Sequence, residues 1–168
     1  MSRSRSLLVV ALMLTTLVGC ATDAKTRECP LIGVRTGIGI TIAAAVAERV
    51  DTVQITVCWD GSCRTRQVTL YPGSRTADDG CTGSGPDAVC SARAEPTGEK
   101  TGFADLAGLP PSPVEVTVAL TDPVGTPIVD QTLMLTPKTV APNGPHCGGG
   151  SPQGRITIDA DARARSAG

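Results

Sequence analysis

The sequence predicts an all-β protein, a small disulfide-stapled β-sandwich that follows an export signal. Three observations carry the prediction. Short segments alternate apolar and polar residues with period two, and Gly/Pro/Asn/Asp turns separate them. No long segment shows the three-to-four residue spacing of an amphipathic helix. An even set of cysteines remains once one is assigned elsewhere, as expected for a small exported domain.

The chain opens with Arg3 and Arg5, then an apolar run from Leu7 to Val18 broken only by Thr15 and Thr16. The run is shorter than the roughly 20 apolar residues needed to span a bilayer, and its charged-apolar-small order is that of a secretory signal. It ends in Leu17-Val18-Gly19-Cys20. These four residues resemble the bacterial lipobox. The resemblance implies cleavage after Gly19, a diacylglyceryl thioether on Cys20 and acylation of the new amino terminus. Two or three acyl chains anchor a protein stably, where one is marginal. The expected organisation is a signal peptide over 1–19, a lipidated polar tether over 20–28, a sandwich over 29–160 and a frayed tail over 161–168. The expected location is the extracytoplasmic side of the cell membrane, with the membrane itself engaged through the lipid.

The formal net charge is −1, and it becomes −3 when Arg3 and Arg5 leave with the signal. A mildly acidic chain with one Phe, one Tyr and one Trp lacks both the basic footprint and the stacking platform of a nucleic-acid binder. So few aromatics also make a thin core. Of the seven cysteines, one is assigned to lipid; Cys29, Cys58, Cys63, Cys81, Cys90 and Cys147 are disulfide candidates whose connectivity the sequence leaves open. Each bridge would offset the thin core by about 2–4 kcal/mol.

Ile38, Ile40 and Ile42 alternate with Gly39 and Thr41, a strand signal. Ala43 to Arg49 could make a helical turn, though no cap residue precedes it. Val53, Ile55, Val57 and Trp59 form the next alternating run, ending at Asp60-Gly61, a strong signal for a type I′ hairpin turn. A two-residue loop there sets Cys58 opposite Cys63, Thr56 opposite Thr65, Gln54 opposite Gln67 and Val53 opposite Val68. Cys58 and Cys63 would then form a non-hydrogen-bonded pair with Cα atoms about 4.5 Å apart, close enough for a local bridge. The same register aligns Arg64 and Arg66 with Val57 and Ile55 on the apolar face. That conflict requires a bulge, or arginine stems that reach past the sheet edge.

Residues 72–100 are rich in Gly, Ser, Asp and Pro and read as a long surface loop, which a Cys81–Cys90 bridge would order. Val114, Val116, Val118 and Leu120 alternate, Asp122-Pro123-Val124-Gly125 turns the chain, and Ile128 to Leu135 returns. Residues 142–152 form a Gly/Pro loop carrying His146 and Cys147, and Ile156 and Ile158 mark a final strand.

Gly102-Phe103-Ala104-Asp105-Leu106-Ala107-Gly108-Leu109-Pro110-Pro111, leading into the valine strand, resembles a stretch of carboxypeptidase-regulatory or transthyretin-like sandwiches. The likeness implies an Ig-like or prealbumin-like arrangement. The chain is also similar to small secreted actinobacterial lipoproteins of unassigned function, through its cysteine-bearing hairpin, its Leu-Pro corner and Pro142-Asn143-Gly144-Pro145-His146-Cys147. That likeness implies an address and a fold type, not a mechanism.

Chemistry is sparse. His146 is the single histidine, so any Ser-His or Cys-His scheme must use it, from a loop beside a cysteine expected to be bridged. The spacings Cys58-x4-Cys63 and Cys81-x8-Cys90 lack the tight pairs of zinc ribbons. Asp78-Asp79-Gly80 and Asp159-x-Asp161 offer carboxylates without the EF-hand pattern. Gly37-Ile38-Gly39 reads as strand glycines that permit a bulge or close backbone approach. No catalytic residue, metal or cofactor is assigned. Trp59 and His146 are the candidate contact residues: Trp59 packs in the core by default, or anchors a partner if exposed. The expected function is a non-catalytic binding or surface-structural module with an extracellular or envelope protein partner. The alternatives are an accessory envelope hydrolase or sensor using His146, and an inhibitor presenting a braced loop to an extracellular protease.

Overall fold

The computed structural model describes residues 28–167; the signal sequence, Cys20 and most of the tether lie outside the described residues. Residues 28–31 have no regular secondary structure and are exposed. Residues 32–167 group as one compact unit built almost entirely of strands.

The strands are β1 (Gly37–Ile42), β2 (Thr52–Trp59), β3 (Ser62–Gln67), β4 (Leu70–Thr82), β5 (Val89–Asp105), β6 (Val114–Thr121), β7 (Pro127–Leu135), β8 (Lys138–Val140), β9 (Ser151–Ile158) and β10 (Ala164–Ser166). One helical turn, α1 (Ala44–Ala47), follows β1 and buries Val46 and Ala47. Two sheets form. The six-stranded one runs β10-β9-β1-β5-β4, with β8 also on β9, and the four-stranded one runs β3-β2-β6-β7. β1 lies inside the larger sheet, antiparallel to β5 and parallel to β9.

The alternating residues become a single core. Ile38, Ile40, Ile42, Ile156 and Ile158 of the large sheet join Val53, Ile55, Val57, Val114, Val116, Val118 and Leu120 of the small one in one buried cluster. The protein is thus a disulfide-stapled β-sandwich. Aliphatic side chains alone fill it, because β-branched residues suit a pleated, half-buried surface.

The β2–β3 hairpin takes the register its turn dictates. Asp60 and Gly61 both have positive φ (48° and 72°), and Cys58↔Cys63, Thr56↔Thr65 and Gln54↔Gln67 are paired. Val68 N donates to Val53 O at 2.9 Å. Cys58 and Cys63 are bridged, as are Cys81 and Cys90. Cys29 and Cys147 are also disulfide-bonded cysteines.

Arg64 and Arg66 do stand opposite Val57 and Ile55. Because β3 is an edge strand, their stems pass beyond the sheet. The Arg64 guanidinium lies over the Trp59 ring, 4.5 Å from its centroid, and donates to Ala107 O. Arg66 donates from Nε to Asp105 O (3.2 Å) and from Nη1 to Thr65 O (2.8 Å).

Two segments differ from the sequence reading. Residues 72–100 are not a loop but most of a long antiparallel ribbon, β4 with β5, bulged between Pro72 and Ser74 and between Asp78 and Gly80. From Ser74 to Thr82, and back from Val89 to Ala94, almost every residue is exposed. With water on both faces there is no apolar alternation to read. Residues 161–168, expected to fray, include β10, which pairs Ala164 with Ile158 and Ser166 with Ile156. The Asp159 carboxylate makes that return, accepting from Asp161 N (3.1 Å) and Arg163 N (2.9 Å). The sheet therefore continues past residue 160, where the sequence reading ends the domain.

Candidate ligand-binding face

Burying Ile38, Ile40 and Ile42 turns Gly37, Gly39 and Thr41 to the outer face of the large sheet. The same alternation turns Thr101, Phe103 and Asp105 of β5 outward around buried Ala104, and Arg155 and Thr157 of β9 outward around Ile156 and Ile158. Pairing arranges them in rows. Phe103, Gly39 and Arg155 lie side by side on three strands. Asp105, Gly37, Gln153 and Lys138 form the next row, reaching β8.

The missing side chains of β1 give Phe103 its place. A Cβ on Gly37 would lie 2.8 Å from Phe103 Cε1 and would collide with Ala104 O, so only glycine permits the ring to settle there. The Arg35 guanidinium stacks over that ring at 4.4 Å. It is fixed by a two-pronged ion pair with Asp105, Nε to Oδ1 at 2.9 Å and Nη2 to Oδ2. The hydrogen bond from Arg35 holds the Asp105 carboxyl below the usual carboxylate range, desolvation opposes it, and the Arg35 charge adds to the lowering.

Phe103 separates two depressions. The first, about 480 Å³, is lined by Arg35, Arg66, Tyr71, Thr101, Phe103 and Asp105, among others. Tyr71, opposite Thr101 on β4, is 63% exposed. The second, about 620 Å³, is lined by Phe103, Met134, Lys138, Val140, Gln153 and Arg155, among others. Its origin is a break in the sheet edge. β8 covers β9 over Ser151–Gln153, β10 covers it over Ile156–Ile158 and Ala167 N donates to Arg155 O at 2.9 Å, leaving Gly154 between them.

Charge around the two depressions is unbalanced. Arg35 and Asp105 neutralise one another, but Arg66, Lys138 and Arg155 make no ion pair among the described residues. Three uncompensated cations thus surround two aromatic rings in a chain whose overall formal charge is −1. Such an arrangement can hold an anion by charge and by the planar donors of arginine.

The candidate contact residues of the sequence lie elsewhere. Trp59 is partly buried, packs against the core and is covered by Arg64. His146 is exposed, lines neither depression and makes no hydrogen bond or ion pair among the described residues. In its loop, Asn143 ties the chain to Ile32, accepting from Ile32 N (2.9 Å) and donating to Ile32 O (3.2 Å). The acidic turns are occupied internally: Asp78 accepts from Gly80 N (2.7 Å), Asp79 pairs with Arg93, and Asp159 also takes Arg165 Nε at 2.9 Å. Among the described residues no group of three or more His, Cys, Asp or Glu is placed to hold a metal ion.

Sequence reasoning missed Tyr71, Arg35, Lys138 and Arg155, met Arg66 only as a conflict in the hairpin register, and met Phe103 only through a resemblance. One signal was available: glycines in the outward phase of an isoleucine strand mark a face without side chains of its own. No family model, curated protein or solved structure matches the chain.

Proposed function

We propose that the chain is a lipid-anchored protein of the cell envelope that acts by binding, through the outer face of its large sheet. The Leu17-Val18-Gly19-Cys20 segment supports the anchor. The observation that carries the binding role is the placement of Arg66, Lys138 and Arg155, without counter-ions among the described residues, around Phe103 and Tyr71 on a rigid sheet. A surface that served only to cover the core would gain nothing from grouping like charges.

Mass spectrometry of the membrane fraction tests the anchor. The expected result is an acylated Cys20 at the mature amino terminus, and release of the protein from the membrane in Cys20→Ser. An unmodified Cys20 thiol on a membrane-free chain overturns it. The binding role is overturned by a turnover that survives purification and disappears in His146→Ala while the fold is kept.

A further inference from the structure

We infer that the Phe103 face binds an acidic polysaccharide, lying across the sheet from the Tyr71 depression to the Lys138 depression; this rests on the binding role proposed above and names its ligand class.

Charge complementarity is the first argument. The two depressions are lined by four cations, Arg35, Arg66, Lys138 and Arg155, and by one carboxylate, Asp105, which Arg35 alone neutralises. The surplus is positive on both sides of Phe103, so the complementary ligand carries negative charge at both ends.

Length is the second. Strands in a sheet are about 4.8 Å apart, so Arg155, two strands from Phe103, is about 10 Å away across the face, and Lys138, three strands from Asp105, about 14 Å. A lone small anion satisfies one depression and leaves the other. A chain of repeating charged units reaches both.

The third is the chemistry between the charges. Tyr71 offers an exposed ring, on which the C–H face of a sugar ring packs, and its hydroxyl remains a polar handle. Thr69, Thr101, Gln67 and Gln153 add donors and acceptors suited to sugar hydroxyls. The cations line depressions rather than a protruding patch, and a concave surface suits a chain laid into it better than the flat surface of a bilayer.

The test is titration of the full lipid-anchored chain, held in phosphatidylcholine nanodiscs, with hexagalacturonate and, separately, with neutral maltohexaose, followed by calorimetry and NMR. Hexagalacturonate should bind, more weakly as salt is raised, and maltohexaose should not. The Lys138→Gln/Arg155→Gln double variant should bind about tenfold more weakly, and Arg66→Gln about threefold, as for partly screened ionic contacts. Tyr71→Ala should also lose affinity. All four substituted residues are exposed, and a retained native amide spectrum verifies each fold. Equal binding of maltohexaose, no binding of hexagalacturonate, or wild-type affinity in the double variant overturns the proposal. So do shifts at Lys138 and Arg155 on changing to phosphatidylglycerol discs without any on adding hexagalacturonate, which reassign the face to lipid headgroups. Failure of hexagalacturonate with Cys20 still acylated removes the ligand class alone. Oligosaccharide binding by a chain whose Cys20 is never acylated removes the anchor and keeps the face.

Discussion

The sandwich and the β4–β5 ribbon are made from the same backbone pairing and held by different forces. In the sandwich the central strands bury one face; Ile40, Ile55 and Val116 are at most 1% exposed. In the ribbon both faces meet water. Its side-chain support is a chain of ion pairs, Arg75–Glu95, Glu95–Arg93 and Arg93–Asp79, and the Cys81–Cys90 bridge near its tip. Exposed ion pairs stabilise little, and a lone two-stranded hairpin is marginal in water. The ribbon therefore depends on its covalent staple and on its root, where β5 pairs β1, and the sandwich depends on burial.

This contrast can be tested by graded substitutions. The largest effect belongs to the core: Ile55→Ala should cost about 2–5 kcal/mol in chemical denaturation, whereas Val89→Ala on the ribbon, 72% exposed, should change stability by less than about 0.5 kcal/mol. Comparable losses would abolish the distinction. Next comes the staple. Cys81→Ser/Cys90→Ser should lower the local opening free energy of residues 74–95 by about 2 kcal/mol, seen as faster amide exchange there, while the protection of β2 and β6 persists. Exchange that accelerates everywhere would make the ribbon part of the global cooperative unit.

Acid should act on the sandwich through its turns. Backbone N–H groups of Thr126 and Val124 hold the Asp122 carboxyl below the usual range, and those of Arg163 and Asp161, with the Arg165 side chain, do the same for Asp159. A depressed carboxyl contributes stability that is fully present above its unfolded value and is lost as pH falls through its folded one. Asp122→Ala/Asp159→Ala should accordingly flatten the acid limb of a stability–pH curve below about pH 4 while leaving its alkaline limb unchanged. A smaller gain is expected at Ala162, a non-glycine residue at φ 59° in the Asp159 turn: Ala162→Gly should raise stability by about 0.5 kcal/mol in denaturant titration. The smallest effect is Arg75→Ala, within about 0.5 kcal/mol and weaker still in high salt.

The same contrast explains what could be read from the sequence. Val114 to Leu120 and Ile38 to Ile42 announce themselves because burial of one face enforces period two. Asp60-Gly61 fixes the hairpin register, down to Cys58 opposite Cys63, because the turn geometry leaves no freedom. The ribbon has no such signature: Ser74 to Thr82 carries Gly, Asp and Arg on either side because neither side faces a core. β10 hides for a related reason. Only three residues long, it is made by the Asp159 turn rather than by its own composition. The candidate binding face is the least legible of all. Arg35, Tyr71, Phe103, Lys138 and Arg155 are scattered along the chain, and only the order β4-β5-β1-β9 with β8 beside it brings them together. Trp59, the most conspicuous aromatic in the sequence, is instead engaged by Arg64 at the open edge, where the arginines that seemed to spoil the apolar face close the sandwich.

The central place of β1 carries a consequence for how the chain comes to maturity. Its first strand, beginning at Gly37, must wait for Gln153 and its successors before its parallel partner exists. Such distant closure is slow compared with hairpin formation. A nascent polypeptide stopped short of residue 151 would lack the partner strand that seals its middle. Completion of the fold is thereby timed to the arrival of the last strands.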